Sequence, residues 1–162
     1  MREKLLSLTE KPFFLTVFFH FFKIENTIIS RAIQAFEKLG LKNYQFYEID
    51  DNKFLQQIPS KSIDIMYEAA VFQHTLKDIT EKYMMETSRL LRPNGIALYQ
   101  FLINNSKPIK QPSSKKEGIM YYSHEEIKGM IQKANLKIYK YGDYEQFDDG
   151  YRNWRLYMIQ TN

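Results

Sequence analysis

The sequence predicts an α/β protein: a layered, mostly parallel sheet with helices on both faces, closed at its carboxyl end by an antiparallel hairpin. Three stretches carry that expectation. Ser62 to Leu102 reads as an apolar run short enough for a buried strand (Ile63 to Tyr67), a helical stretch, a break at Arg92-Pro93-Asn94-Gly95, and a second apolar run from Ile96 to Ile103. Two strands joined through a helix run parallel and need a crossover, which implies one covered face of a sheet. Asn26 to Gly40 has helical periodicity, and Lys137 to Tyr141 with Trp154 to Ile159 alternate as a strand pair joined by the acidic segment Gly142 to Gly150. Ligands of open α/β sheets bind beyond the carboxyl ends of the strands. The residues just after Tyr67 and just after Phe101 are therefore the first candidates for a site.

Taken in order, Met1 to Glu10 reads as a short amphipathic start closed by Pro12, and residues 12 to 22, PFFLTVFFHFF, form the most hydrophobic window. That run is about half the roughly 20 apolar residues a membrane span requires. Lys23-Ile24-Glu25-Asn26 follows it where a secretory signal would place small residues for cleavage. A buried strand rich in Phe is the local expectation. Asn26 or Thr27 can cap a helix whose apolar positions are Ile28, Ile29, Ala32, Ile33, Ala35, Phe36 and Leu39, ending at Gly40. Tyr44 to Ile49 reads as a strand that finishes at Asp50-Asp51, and Phe54, Leu55 and Ile58 make a short helical turn before Pro59. After Phe101, residues 104 to 118 form a long polar loop with two prolines and four lysines, a length usually associated with function or mobility. Ser123 and Glu126 make a capping box that opens a helix from about His124 to Asn135, with Ile127, Met130, Ile131 and Ala134 on its apolar side.

Composition bounds the function classes. The 162 residues suit one domain, 1–162. Twelve Phe and twelve Tyr predict a bulky aromatic core. The lack of cysteine excludes disulfides, thiolate metal sites and cysteine nucleophiles, and fits a reducing, cytoplasmic setting. A net charge of +4, from 23 basic against 19 acidic residues spread along the chain, is too diffuse to indicate nucleic acid. The three histidines have no partners at metal-ligand spacing, so no metal site is expected.

Several weak motifs in the right order make the chain, from about Glu25 onward, resemble the class I S-adenosylmethionine-dependent methyltransferases. They are Asp50 after a strand, Ser62-Ile63-Asp64, Val71-Phe72-Gln73-His74, and Arg89-Leu90-Leu91-Arg92-Pro93-Asn94-Gly95 before the next strand. The resemblance implies a Rossmann-like sheet, S-adenosylmethionine as cofactor, and methyl transfer to an acceptor that is a small molecule. It also implies site residues. Asp50 would hold the adenine amino group with the backbone of Asp51 beside the ring, although an acidic turn or helix cap is the other reading. Glu25 would take the ribose hydroxyls. Glu68 to Ala70 would line the methionine part of the cofactor and the substrate entrance, where small Ala69 and Ala70 equally suit tight packing. His74 suits a general base, or alternatively caps the helix that follows. Asn94 stands where the family's turn has its first glycine, and asparagine tolerates the positive φ such a turn requires.

One family element is missing from this reading. The cofactor's usual glycine-rich turn follows the first strand, yet the first glycine here is Gly40. The amino-terminal part is therefore expected to be truncated or divergent, with residues 13 to 22 standing in for a central strand or another chain, a companion or a second copy, completing the sheet. The alternative to an enzyme is a methyltransferase-like remnant that binds a partner and no cofactor.

Overall fold

The computed structural model describes residues 26–40, 55–104, 119–146 and 152–162. The strands expected at 13 to 22 and 44 to 49, and the polar loop beyond Asn104, lie outside the described residues. Within them the order is α1 (Asn26–Lys38), β1 (Ile63–Glu68), a 3₁₀ turn (Phe72–His74), α2 (Lys77–Leu90), β2 (Leu91–Asn104), α3 (His124–Lys133), β3 (Leu136–Gln146) and β4 (Arg152–Thr161).

The four strands form one sheet in the order β1-β2-β4-β3. β1 and β2 pair in parallel through α2, as the strand-helix-strand pattern requires, while β4 pairs antiparallel with both β2 and β3. The hairpin is longer than its alternating core suggests: β3 gains Leu136 at its start and runs on to Gln146. Along β2, Ala97, Tyr99, Phe101 and Ile103 are buried while Ile96, Leu98 and Gln100 are only partly so, because successive side chains leave opposite faces of a strand. The buried set meets α2 and α3, and the core joins Tyr83, Met84, Ile127 and Ile131 from those helices to Tyr157 and Ile159 from β4.

The centre of this core is aromatic, as composition predicts. Phe72 stacks on Phe101 with centroids 4.9 Å apart and meets Tyr99 edge-on at 5.3 Å. Phe101 in turn takes Tyr122 and Tyr157 edge-on at 5.1 and 5.6 Å. Such pairs contribute about 0.5–1.5 kcal/mol each beyond their buried area. The buried hydroxyls are satisfied across elements. Tyr99 Oη meets Thr87 Oγ1 at 2.5 Å, and Tyr122 Oη meets Thr80 Oγ1 at 2.9 Å and donates toward the Phe72 carbonyl at 3.2 Å.

The break at 92–95 is folded into β2 as an irregularity. Ile63 pairs with Leu91 and Ile65 with Ile96, so the four residues 92–95 oppose a single residue of β1. Asn94 takes φ 66, the conformation the sequence assigned to it. Gly95 serves a different need: a Cβ there would lie 2.9 Å from the Arg92 carbonyl oxygen and 3.1 Å from that of Ile63. Arg89 fixes the turn before β1. Its guanidinium donates to the carbonyls of Ile58 at 2.8 Å and Leu55 at 2.9 Å and pairs with Glu86. Ser123 and Glu126 form the expected capping box, and α3 ends at Lys133, short of Asn135, whose φ of 55 turns the chain into β3.

Candidate functional site

The parallel strands β1 and β2 direct their carboxyl ends toward one rim, built mainly by residues 67–74. Tyr67 is 49% exposed there, and Ala69 and Ala70 are exposed behind it. Ala70 adopts φ 59, a region that costs an L-residue about 1 kcal/mol or more and persists only where neighbours enforce it. Three consecutive backbone N–H groups show what enforces it. Ala70 donates to Gln100 Oε1 at 2.5 Å, and Val71 and Phe72 donate to Glu68 Oε1 at 2.5 and 3.3 Å.

Glu68 therefore turns inward at the strand end and holds the following turn from below. Its Oε2 is buried without a hydrogen-bond partner among the described residues. Beside it lies a cavity of about 20 Å³ bordered by Met66, Val71, Phe72, Tyr83 and Tyr99. Burial pushes the carboxyl up from 4.5 to about 7, against the opposing pull of the Val71 and Phe72 N–H groups. The same enclosure, with the Glu68 charge nearby, drives the Tyr83 and Tyr99 hydroxyls well above their ordinary range.

The structure thus brings Glu68, Ala69 and His74 to one rim. Glu25, Asp50 and Asp51 lie outside the described residues. His74 is exposed in the 3₁₀ turn, with Nε2 3.0 Å from Gln73 Nε2. The capping alternative for His74 is corrected: the residue flanking α2 is Leu76, with no side-chain cap. The turn is instead tied by Thr75, whose Oγ1 donates to the Val71 carbonyl at 3.0 Å. Gln100 was not singled out by sequence reasoning, although a polar residue inside the apolar run Ile96 to Ile103 is a signal that it has a partner to satisfy. Among the described residues no three side chains of metal-ligating type converge, and no helix is long and apolar enough to cross a membrane.

Comparison with solved structures identifies the fold. The chain superposes on the [4+2]-cyclase SpnF with TM-score 0.64 at 12% identity, covering 86% of this chain and 65% of that one. A SAM-dependent methyltransferase from Methanosarcina mazei gives TM-score 0.64 at 13% identity, covering 86% and 79%. The 1,6-didemethyltoxoflavin-N1-methyltransferase of Burkholderia thailandensis, solved with S-adenosylhomocysteine, gives TM-score 0.59 at 14% identity, covering 86% and 59%. The protein has the class I S-adenosylmethionine-dependent methyltransferase fold. It spans 65% of the cyclase and 59% of the toxoflavin enzyme. No family model and no curated protein sequence matches it.

Proposed function

We propose that the protein transfers a methyl group from S-adenosylmethionine to a small-molecule acceptor, binding both beyond the carboxyl ends of β1 and β2. The observation that carries this reading is the rim after β1. Two exposed small residues, Ala69 and Ala70, sit at the strand end on a turn pinned from beneath by Glu68 and Gln100. A rigid, side-chain-poor edge suits close approach of a ligand. Ala69 and Ala70 would flank the methionine part of the cofactor, Asp50 would accept from the adenine amine with Asp51 beside the ring, and Glu25 would take the ribose hydroxyls. Bound there, the cofactor supplies an activated methyl group on sulfur. Glu68 contributes by shaping the turn, because its Oε1 is already engaged by two N–H groups. His74, exposed on the same turn, would take a proton from an acceptor. The toxoflavin enzyme, solved with its small-molecule ligand and S-adenosylhomocysteine, supports the choice of acceptor class. Positioning dominates such chemistry, so one proton acceptor at the rim suffices.

A second reading is a non-catalytic module of the same fold that binds a partner and no cofactor. Calorimetric titration with S-adenosylhomocysteine separates the two. Binding that is lost in Asp50→Ala is expected. No heat at millimolar ligand with folded protein overturns the enzyme reading and leaves the module.

A further inference from the structure

The turn after β1 hangs between two anchors of different kind. On its far side the chain is fixed without help from Glu68. The Val71 carbonyl accepts from the His74 N–H at 2.8 Å and from Thr75 Oγ1 at 3.0 Å, and Phe72, 1% exposed, stacks on Phe101. On the near side Glu68 ends β1. Between them Ala69 and Ala70 are exposed, so no buried side chain holds this stretch. Its hold is polar: the Ala70 N–H on Gln100 Oε1, and the Val71 and Phe72 N–H groups on Glu68 Oε1. Ala70 at φ 59 works against that hold, since the conformation costs an alanine about 1 kcal/mol or more.

The carboxyl that closes the turn is poorly placed to carry charge. Oε2 is buried with no hydrogen-bond partner among the described residues, beside a cavity of about 20 Å³, room for roughly one water molecule. Facing it are Tyr83 from α2, Tyr99 from β2 and Tyr122 from the segment before α3, whose hydroxyls are pushed above their ordinary range and stay uncharged through neutral pH. None of the ion pairs among the described residues includes Glu68. No cation therefore offsets the hydration that the charged form loses. The neutral form sheds that charge, and Oε1 still accepts from both N–H groups as a carbonyl oxygen. Burial accordingly raises the carboxyl from 4.5 to about 7, against the pull of the Val71, Phe72 and Gln100 N–H groups. Opening the turn returns it to water, where the ordinary value applies.

We propose that residues 69–71 form a proton-controlled latch, closed on the neutral Glu68 carboxyl and released when that carboxyl ionises. Between pH 4.5 and about 7 the closed turn keeps a proton that the open turn has lost, so opening grows with pH across this window and levels off above it. Ala69 and Ala70 are the edge assigned to the ligand, so ligand affinity would follow the latch. That consequence rests on the methyl-transfer reading, whereas the latch is tested on the free chain.

Amide hydrogen exchange of the full chain, followed by nuclear magnetic resonance, provides the test. After correction for intrinsic exchange, protection of the Ala70 and Val71 amides should fall on the order of fiftyfold between about pH 5 and about pH 8. Low urea should leave their exchange unchanged, because opening so short a turn exposes little surface. Glu68→Gln should flatten the pH dependence, since the amide cannot ionise. Three results would each overturn the proposal. They are wild-type protection that does not change with pH, a change that persists in Glu68→Gln, and turn amides that match the amides of β2 in both protection and urea dependence. A chain that shows the latch and binds no S-adenosylhomocysteine would count against the methyl-transfer reading alone.

Discussion

Replacing Glu68 with glutamine should stabilise the protein above neutral pH, and the size of the effect follows from the carboxyl's surroundings. Its Oε1 accepts from Val71 and Phe72 while Oε2 is buried unpartnered, so the charged form has lost much of its hydration for two hydrogen bonds. The carboxyl rises from 4.5 to about 7, which is worth about 3 kcal/mol at roughly 1.4 kcal/mol per tenfold change in proton affinity. Between those pH values the native state keeps a proton that the unfolded chain has released. Stability from this group is therefore fully present below pH 4.5, declines as pH rises, and is gone above about pH 7. Glutamine cannot charge, and its amide oxygen can still accept from the two N–H groups. In urea titrations, Glu68→Gln should match wild type near about pH 4 and exceed it by up to about 3 kcal/mol at about pH 8, or about 6–12 °C in Tm for a chain of this size. Parallel pH curves for the two proteins, or a wild type that gains on the variant as pH rises, would refute the reasoning.

Two further substitutions probe the scaffold under the site. Gly95→Ala puts a Cβ 2.9 Å from the Arg92 carbonyl oxygen and should cost on the order of 1–3 kcal/mol in denaturant stability, since backbone must shift to admit it. Tyr122→Phe removes the hydroxyl that joins Thr80 on α2 to the carbonyls of Phe72 and Thr75. A loss of about 1–3 kcal/mol is expected, read as a lower urea midpoint at unchanged slope, because buried acceptors lose their donor.

Much of this architecture was legible in order and periodicity. The helical spacing from Ile28 to Leu39 foretells α1 and its stop, where Gly40 has φ 70. The capping box at Ser123 and Glu126 foretells the start of α3 to the residue. These are local matters, decided by hydrogen bonds and dihedral preferences within a few residues. Element ends were less legible where a neighbouring strand extends the pairing. Leu91 falls at the end of the expected helical stretch and yet pairs with Ile63, and β3 continues through Gly142 and Asp143 because β4 stays paired with it through two register shifts.

For the candidate site, sequence order brought out the stretch 68 to 74 and tertiary structure assigned its work. Glu68 read as a residue lining a ligand. Its Oε1 accepts from the Val71 and Phe72 N–H groups of the turn that follows, a contact that spacing does not foretell. Gln100 enters from a different strand, 30 residues away, to take the Ala70 N–H.

The sequence by itself determined which of the described segments are strands and helices, the parallel crossover between β1 and β2, the aromatic character of the core and the family whose fold the chain adopts, since each depends on periodicity, capping or motif order. Only the tertiary structure decided that Glu68 supports the turn after β1 and that Asn94 and Gly95 meet separate steric needs. Those outcomes depend on which backbone groups lie beside one another once the chain has closed, and sequence spacing carries no record of that adjacency.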